Sequence, residues 1–113
     1  MKQIKAIIKP EVLDKVKDAL KREKCGGIMV TEVTGHGQQG GIRQQWRGEK
    51  YEVDLLPKIA VDVVVKDFEV QKVIDTIISS ARTGGDQGEG KIFVYPVERA
   101  IRIRTGEEGD CVI

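Results

Sequence analysis

At 113 residues, with 19 Lys plus Arg against 18 Asp plus Glu for a net charge of +1, the chain holds one core and lacks the one-signed field of a typical duplex nucleic-acid binder. Hydrophobic residues at 40% argue against global disorder. No window reaches the roughly 20 apolar residues of a membrane span or the apolar stretch of a secretory signal, so a cytoplasmic protein is expected. Cys25, Cys111 and the sole histidine, His36, are too few ligands for zinc, and the two cysteines read as structural thiols in a reducing compartment.

Ile4, Ala6 and Ile8 alternate as in a half-buried strand, and Pro10 then supplies the first turn of a helix. Val12, Leu13, Val16, Ala19 and Leu20 recur at helical spacing up to Cys25-Gly26-Gly27, a C-terminal stop signal. The β-branched run 28–33 predicts a second strand. From Gly35 to about Lys58 no long strand or helix core is evident, and so long a structureless connection is usually functional or disordered. Ile59, Val61, Val63 and Val65 then face one way along a third strand while Ala60, Asp62 and Val64 face the other. Asp67 is placed to cap a second helix carrying Val70, Val73, Ile74, Ile77, Ile78 and Ala81, which ends near Thr83-Gly84-Gly85. A fourth strand is predicted over 92–95 and a short fifth over 100–104.

This order predicts an α+β, ferredoxin-like βαββαβ sandwich as a single domain over 1–113, with both helices on one sheet face. The other face has no cover, so Ala60 and Val64 are expected to be exposed on a monomer, and a homo-oligomer follows.

The 13 glycines, against about 8 for average composition, fall mostly in two clusters, at 35–48 and 84–90. The first cluster lies in a stretch with Gln38, Gln39, Trp46, Arg47 and Tyr51, which reads either as a solvated hairpin or as an arm that docks on a partner through residue types common at binding hot spots. The second, Gly85-Asp86-Gln87-Gly88-Glu89-Gly90-Lys91, has the spacing G-x-x-x-x-G-K but continues into Ile92 and follows a helix, so a Walker-type loop is excluded. A helix-to-strand turn and an anion cradle of another kind both remain open readings. Arg102 and Arg104, two apart on the expected fifth strand, and Lys58 add further anion-binding groups, favouring a nucleotide or polyanionic metabolite.

Lys5-Ala6-Ile7-Ile8-Lys9-Pro10, Thr31-Glu32-Val33 with Gly35-His36-Gly37, Tyr51-Glu52-Val53-Asp54-Leu55-Leu56-Pro57-Lys58, Gly90-Lys91-Ile92-Phe93-Val94 and Ile101-Arg102-Ile103-Arg104-Thr105-Gly106-Glu107-Glu108 resemble, nearly end to end, the PII nitrogen-signalling proteins of the GlnB/GlnK type. The resemblance is nearest to the GlnK-like, transporter-linked members. It implies a homotrimer that binds ATP or ADP between subunits, with a long mobile T-loop at about 37–53, a B-loop at about 83–91 and a C-terminal segment at about 100–113. Nucleotide contacts would fall on Ile7, Gly35, Gly37, Gln38, Gln39, Asp62, Val64, Gly88, Glu89, Gly90, Lys91, Arg102 and Arg104. Gln39 would help hold Mg²⁺. With Mg-ATP, 2-oxoglutarate would meet Gly37, Gln39, Gly40, Gly41, Lys58 and Gly88. Arg47, Trp46 and Tyr51 would dock on a target, an ammonium transporter that draws the protein to the membrane or a nitrogen-assimilation enzyme, and Tyr51 matches a tyrosine that some members present for modification.

The implied mechanism is a ligand-driven population shift without catalysis. The chain departs from the common pattern at Gln38, where many members carry a base, at Trp46 and Glu49, and in a second loop one residue longer with Glu89 for Asp. The competing class is a ferredoxin-fold RNA-binding module, for which aromatics at 4% leave little to stack bases on. A small enzyme finds no evident nucleophile-base pair.

Overall fold

The computed structural model describes residues 1–35, 55–84 and 90–113, and the backbone of 42–46 and 49–53. The alternation of Ile4, Ala6 and Ile8 forms strand β1, Lys2–Ile8, in which those three side chains are buried and the ones between them are not. Pro10 opens a 3-10 turn, Pro10–Val12, that runs into helix α1, Leu13–Arg22, with Val16, Ala19 and Leu20 turned inward.

Helix α1 stops in a Schellman arrangement: the Lys24 N–H donates to the Lys21 carbonyl at 2.9 Å and the Cys25 N–H to the Leu20 carbonyl at 3.1 Å. The left-handed residue inside the closing bonds is therefore Lys24, at φ 61, while Gly27 of the expected Cys25-Gly26-Gly27 stop is also left-handed, at φ 54, but lies beyond them. The chain turns once Leu20 has reached the core, and Cys25 follows, half-buried against the same cluster. A lysine in this region carries roughly 1 kcal/mol of backbone cost. Lys24→Gly is expected to raise the unfolding free energy by about 0.5–1 kcal/mol in urea titrations. Burial first, then Glu69 and Glu23, push the Cys25 thiol pKa up, which keeps it protonated and unreactive, as a structural thiol should be. Cys111 is exposed and packs no core.

Strands β2, Met29–Gly35, β5, Leu56–Val65, and β6, Gly90–Pro96, complete a four-stranded sheet with β1 in the order β2-β5-β1-β6, every neighbouring pair antiparallel. This is the ferredoxin-like order the sequence predicts. Helix α2, Val70–Ala81, lies beside α1 and buries Val73, Ile77 and Ala81. Ile4, Val16, Leu20, Val61, Val63, Val73 and Ile77 are the large side chains fully removed from water, each contributing about 1.5–3 kcal/mol by burial. Lys72 on α2 reaches Glu23 beyond the end of α1 at 3.0 Å, and that hydrogen-bonded carboxylate raises the ammonium pKa.

Asp67 does not cap α2. A 3-10 turn, Asp67–Glu69, precedes the helix, and the backbone N–H of Lys66 donates to Glu69 Oε1 at 3.4 Å. Because Lys2 pairs with Val65, the chain's amino group arrives beside residue 67, and Asp67 accepts its hydrogen bond at 2.8 Å. That bond and the ammonium charge lower the Asp67 pKa. The pair therefore contributes stability above the ordinary carboxylate range, about pH 3.9, which is lost as pH falls through the lowered value. Asp67→Asn is expected to be slightly less stable than the parent near pH 6, the difference shrinking as pH falls below the ordinary carboxylate range, as thermal melts at a series of pH values will read.

Two further expectations are corrected. Ala60 is buried at 3% exposure and Val64 is half-buried, because Ala60 is a small side chain flanked in register by Ile7 and Thr31, and Val64 is flanked by Gln3. The exposed apolar side chains sit instead on the edge strands, Met29 and Val30 on β2 and Phe93, Val94 and Tyr95 on β6. The expected fifth strand does not form: the segment is a turn closed by a single bridge between Ile101 and Glu108 and by the Gly106 N–H donating to the Arg102 carbonyl at 2.8 Å. Between β2 and β5, where the sequence reads either as a solvated hairpin or as a docking arm, β3, Ile42–Trp46, and β4, Glu49–Val53, pair with each other alone, as the hairpin alternative has it. Mostly polar cross-strand pairs such as Arg43 with Glu52 and Gln45 with Lys50 leave no apolar alternation to read.

Candidate functional site: the open sheet face and the β6 edge

The antiparallel register fixes which side chains share the sheet face away from the helices. One row runs Thr31, Ala60, Ile7, Lys91, and the next runs Met29, Asp62, Lys5, Phe93. Val64, Gln3 and Tyr95 form a third. Four of the residues singled out from sequence, Ile7, Asp62, Val64 and Lys91, thus lie on one face of three adjacent strands. Asp62 is buried at 7% exposure and is satisfied by the Gln3 Nε2 donor at 2.8 Å, while the Lys5 ammonium sits 6.0 Å from the centre of the Tyr95 ring.

At the end of β6 the chain passes very close to β1. A Cβ on Gly90 would lie 1.9 Å from the Ile7 carbonyl oxygen, and its φ of +117 belongs to a region that L side chains rarely adopt. Only glycine lets the loop before it enter the strand so tightly, and the next residue, Lys91, stands exposed. Gly35 ends β2 opposite Leu56, and a Cβ there would only touch the Lys58 stem at 3.5 Å, so packing tolerates a larger residue. Lys58 lies half-buried opposite Val33.

A cavity of about 400 Å³ opens between α2 and the β1–β6 edge, lined by Ile8, Ile74, Ile78 and Ile92 together with Lys91 and Arg82. Arg82 was not among the residues expected from sequence; its position just past the last apolar residue of α2 is the signal that places a cation there. The arginine pair stands apart. Arg102 donates from Nη1 to Glu107 Oε1 at 3.0 Å, and Arg99 makes a two-pronged contact with Glu108, Nε to Oε2 and Nη2 to Oε1, both at 3.1 Å. Arg104 is exposed on the turn and pairs with no described residue. Because the strand on which the two side chains were to share a face is absent, that geometry does not hold. No hydrogen bond or ion pair joins either arginine to Lys91, Asp62 or Val64 among the described residues.

The model of one family, described as nitrogen regulatory protein P-II, matches residues 1–107. The chain belongs to the P-II family. It is 52% identical over 109 residues to nitrogen regulatory protein P-II 2 of Methanothermobacter thermautotrophicus, covering 96% of this chain and 94% of that protein. It is also 52% identical to nitrogen regulatory protein P-II 1 of Escherichia coli K12 over all 113 residues of both.

In this P-II chain the expected contacts at Gly37, Gln38, Gln39, Gly40, Gly41, Arg47, Gly88 and Glu89 lie outside the described residues. Trp46 and Tyr51 fall on the β3–β4 hairpin, opposite Glu49 and Gln44 respectively. No described helix is long and apolar enough to cross a membrane. The P-II sheet face joins an apolar lining to a buried carboxylate, with cations at one edge. Such a surface suits a ligand that is flat and apolar at one end and anionic at the other.

Proposed function

We propose that the chain is a non-catalytic sensor of nitrogen and energy status that assembles as a homotrimer in the cytoplasm. ATP or ADP binds between protomers, the nucleoside against Ile7, Asp62 and Val64 and the phosphates against the 88–91 loop and Arg102 and Arg104. Gln39 contributes to Mg²⁺ binding, a hard cation that takes oxygen ligands. 2-Oxoglutarate joins only with Mg-ATP, one carboxylate meeting Lys58. The bound state selects among conformations of the 37–53 arm, and that choice regulates an ammonium transporter, recruiting the protein to the membrane, or a nitrogen-assimilation enzyme.

The observation that carries this reading is the juxtaposition at the β6 edge, where the exposed Lys91 follows a glycine packed onto Ile7 and shares a face with Asp62. Family membership supports it independently. The exposed Met29, Phe93 and Tyr95 support subunit association, since apolar side chains on sheet edges are otherwise an aggregation hazard. Calorimetry of the purified chain tests it: ATP binds alone, and 2-oxoglutarate gives heat only when Mg-ATP is present. Absence of nucleotide binding at millimolar ATP overturns the reading; oxo-acid binding without nucleotide overturns the ordered assembly of the site.

A further inference from the structure

The turn that carries Arg102 is closed on itself by backbone. The Arg102 N–H donates to the Glu107 carbonyl at 2.8 Å and the Gly106 N–H to the Arg102 carbonyl at 2.8 Å, while Gly106, at φ +74, makes the reversal. These bonds hold the Arg102 and Glu107 backbones side by side whatever their side chains do. On that fixed base the Glu107 carboxylate accepts from Arg102 Nη1 at 3.0 Å, and Arg102 Nη2 makes only a long contact, 3.5 Å, to the Cys111 carbonyl. Both side chains reach solvent, at 39% and 54% exposure, so the carboxylate can leave by side-chain rotation alone.

We propose that Glu107 is an internal stand-in for phosphate, occupying the Arg102 guanidinium and yielding it when a polyphosphate arrives. This rests on the nucleotide site proposed above and adds a specific regulator of it. A phosphate oxygen and the carboxylate cannot share Nη1 without bringing two anions into contact, so binding includes the cost of breaking the Arg102–Glu107 pair. An exposed pair of this kind is worth at most about 1 kcal/mol, which bounds the effect. Glu107 thus weakens nucleotide binding and keeps the guanidinium from being captured by stray anions. Glu108, the next residue, is tied to Arg99 and plays no such part.

The test is calorimetric titration of ATP into the full chain and into Glu107→Gln and Glu108→Gln, which make the same charge change one residue apart. Glu107→Gln is expected to tighten binding about two- to fivefold, a gain that shrinks at high salt, with Glu108→Gln close to the parent. Repeated in an Arg102→Gln background, the gain from Glu107→Gln should vanish. Equal or weaker binding by Glu107→Gln, an equal gain in Glu108→Gln, or a gain that survives without Arg102 overturns the proposal while leaving the nucleotide site standing. A parent chain that binds no ATP overturns both.

Discussion

Gly90→Ala is expected to lower the unfolding free energy by about 3–5 kcal/mol, the largest effect of a methyl added at any of the described glycines. Two penalties combine at that position. The new Cβ would lie 1.9 Å from the Ile7 carbonyl oxygen, a backbone atom locked into the β1 ladder that has no rotamer to escape to. The φ of +117 adds a conformational cost of its own, because that region is closed to residues with a Cβ. Gly84 separates the two: its φ of +80 is also left-handed, but nothing lies within 4 Å of its Cβ position. Gly84→Ala should therefore cost only about 1 kcal/mol. Urea unfolding monitored by circular dichroism compares them, and a Gly90→Ala protein within 1 kcal/mol of the parent, on the same scale of about 1.4 kcal/mol per tenfold in equilibrium constant, would mean that β6 does not enter the sheet as described.

Lys91→Ala makes the complementary prediction. The side chain is exposed and carries no ion pair among the described residues, so its loss should change stability by no more than about 0.5 kcal/mol. A charge-assisted hydrogen bond from an ammonium to phosphate is worth about 1.5–3 kcal/mol, and nucleotide affinity should fall roughly 10- to 150-fold. Gln39→Ala should instead act mainly on Mg²⁺ and 2-oxoglutarate binding, weakening nucleotide less than Lys91→Ala does. Calorimetry on both variants checks the assignment: unchanged nucleotide affinity in Lys91→Ala removes the phosphate role from that residue while leaving the fold untouched.

The neighbouring positions 90 and 91 also show how far the sequence could be read. Lys91 drew attention as a candidate through the glycines before it and through the PII resemblance; that Gly90 is irreplaceable for a steric reason was not legible, because the clash is with a strand about eighty residues earlier in the chain. The sheet was legible where apolar alternation is strong. Ile59, Val61, Val63 and Val65 face the core as their spacing requires, whereas β3 and β4 were legible only as one of two alternatives, a solvated hairpin, because polar residues dominate both strands. Ile101-Arg102-Ile103-Arg104 alternates like a strand yet folds as a turn. What defeats the pattern is backbone pairing further along: the Arg102 N–H donates to the Glu107 carbonyl and the Gly106 N–H to the Arg102 carbonyl, with Gly106 at φ +74 making the reversal. Helix termination shows the reverse error, in which Gly26 and Gly27 drew attention while Lys24 took the left-handed position inside the closing bonds. Residue composition marks where a helix must end; which residue bears the strain depends on when the last apolar side chain has reached the core.

Native mass spectrometry with ATP tests the whole account most directly, because assembly and ligand binding are read in one spectrum. The expected species is three copies of the 12.6 kDa chain carrying up to three nucleotides. A single chain that stays monomeric and free of nucleotide at millimolar ATP would contradict it.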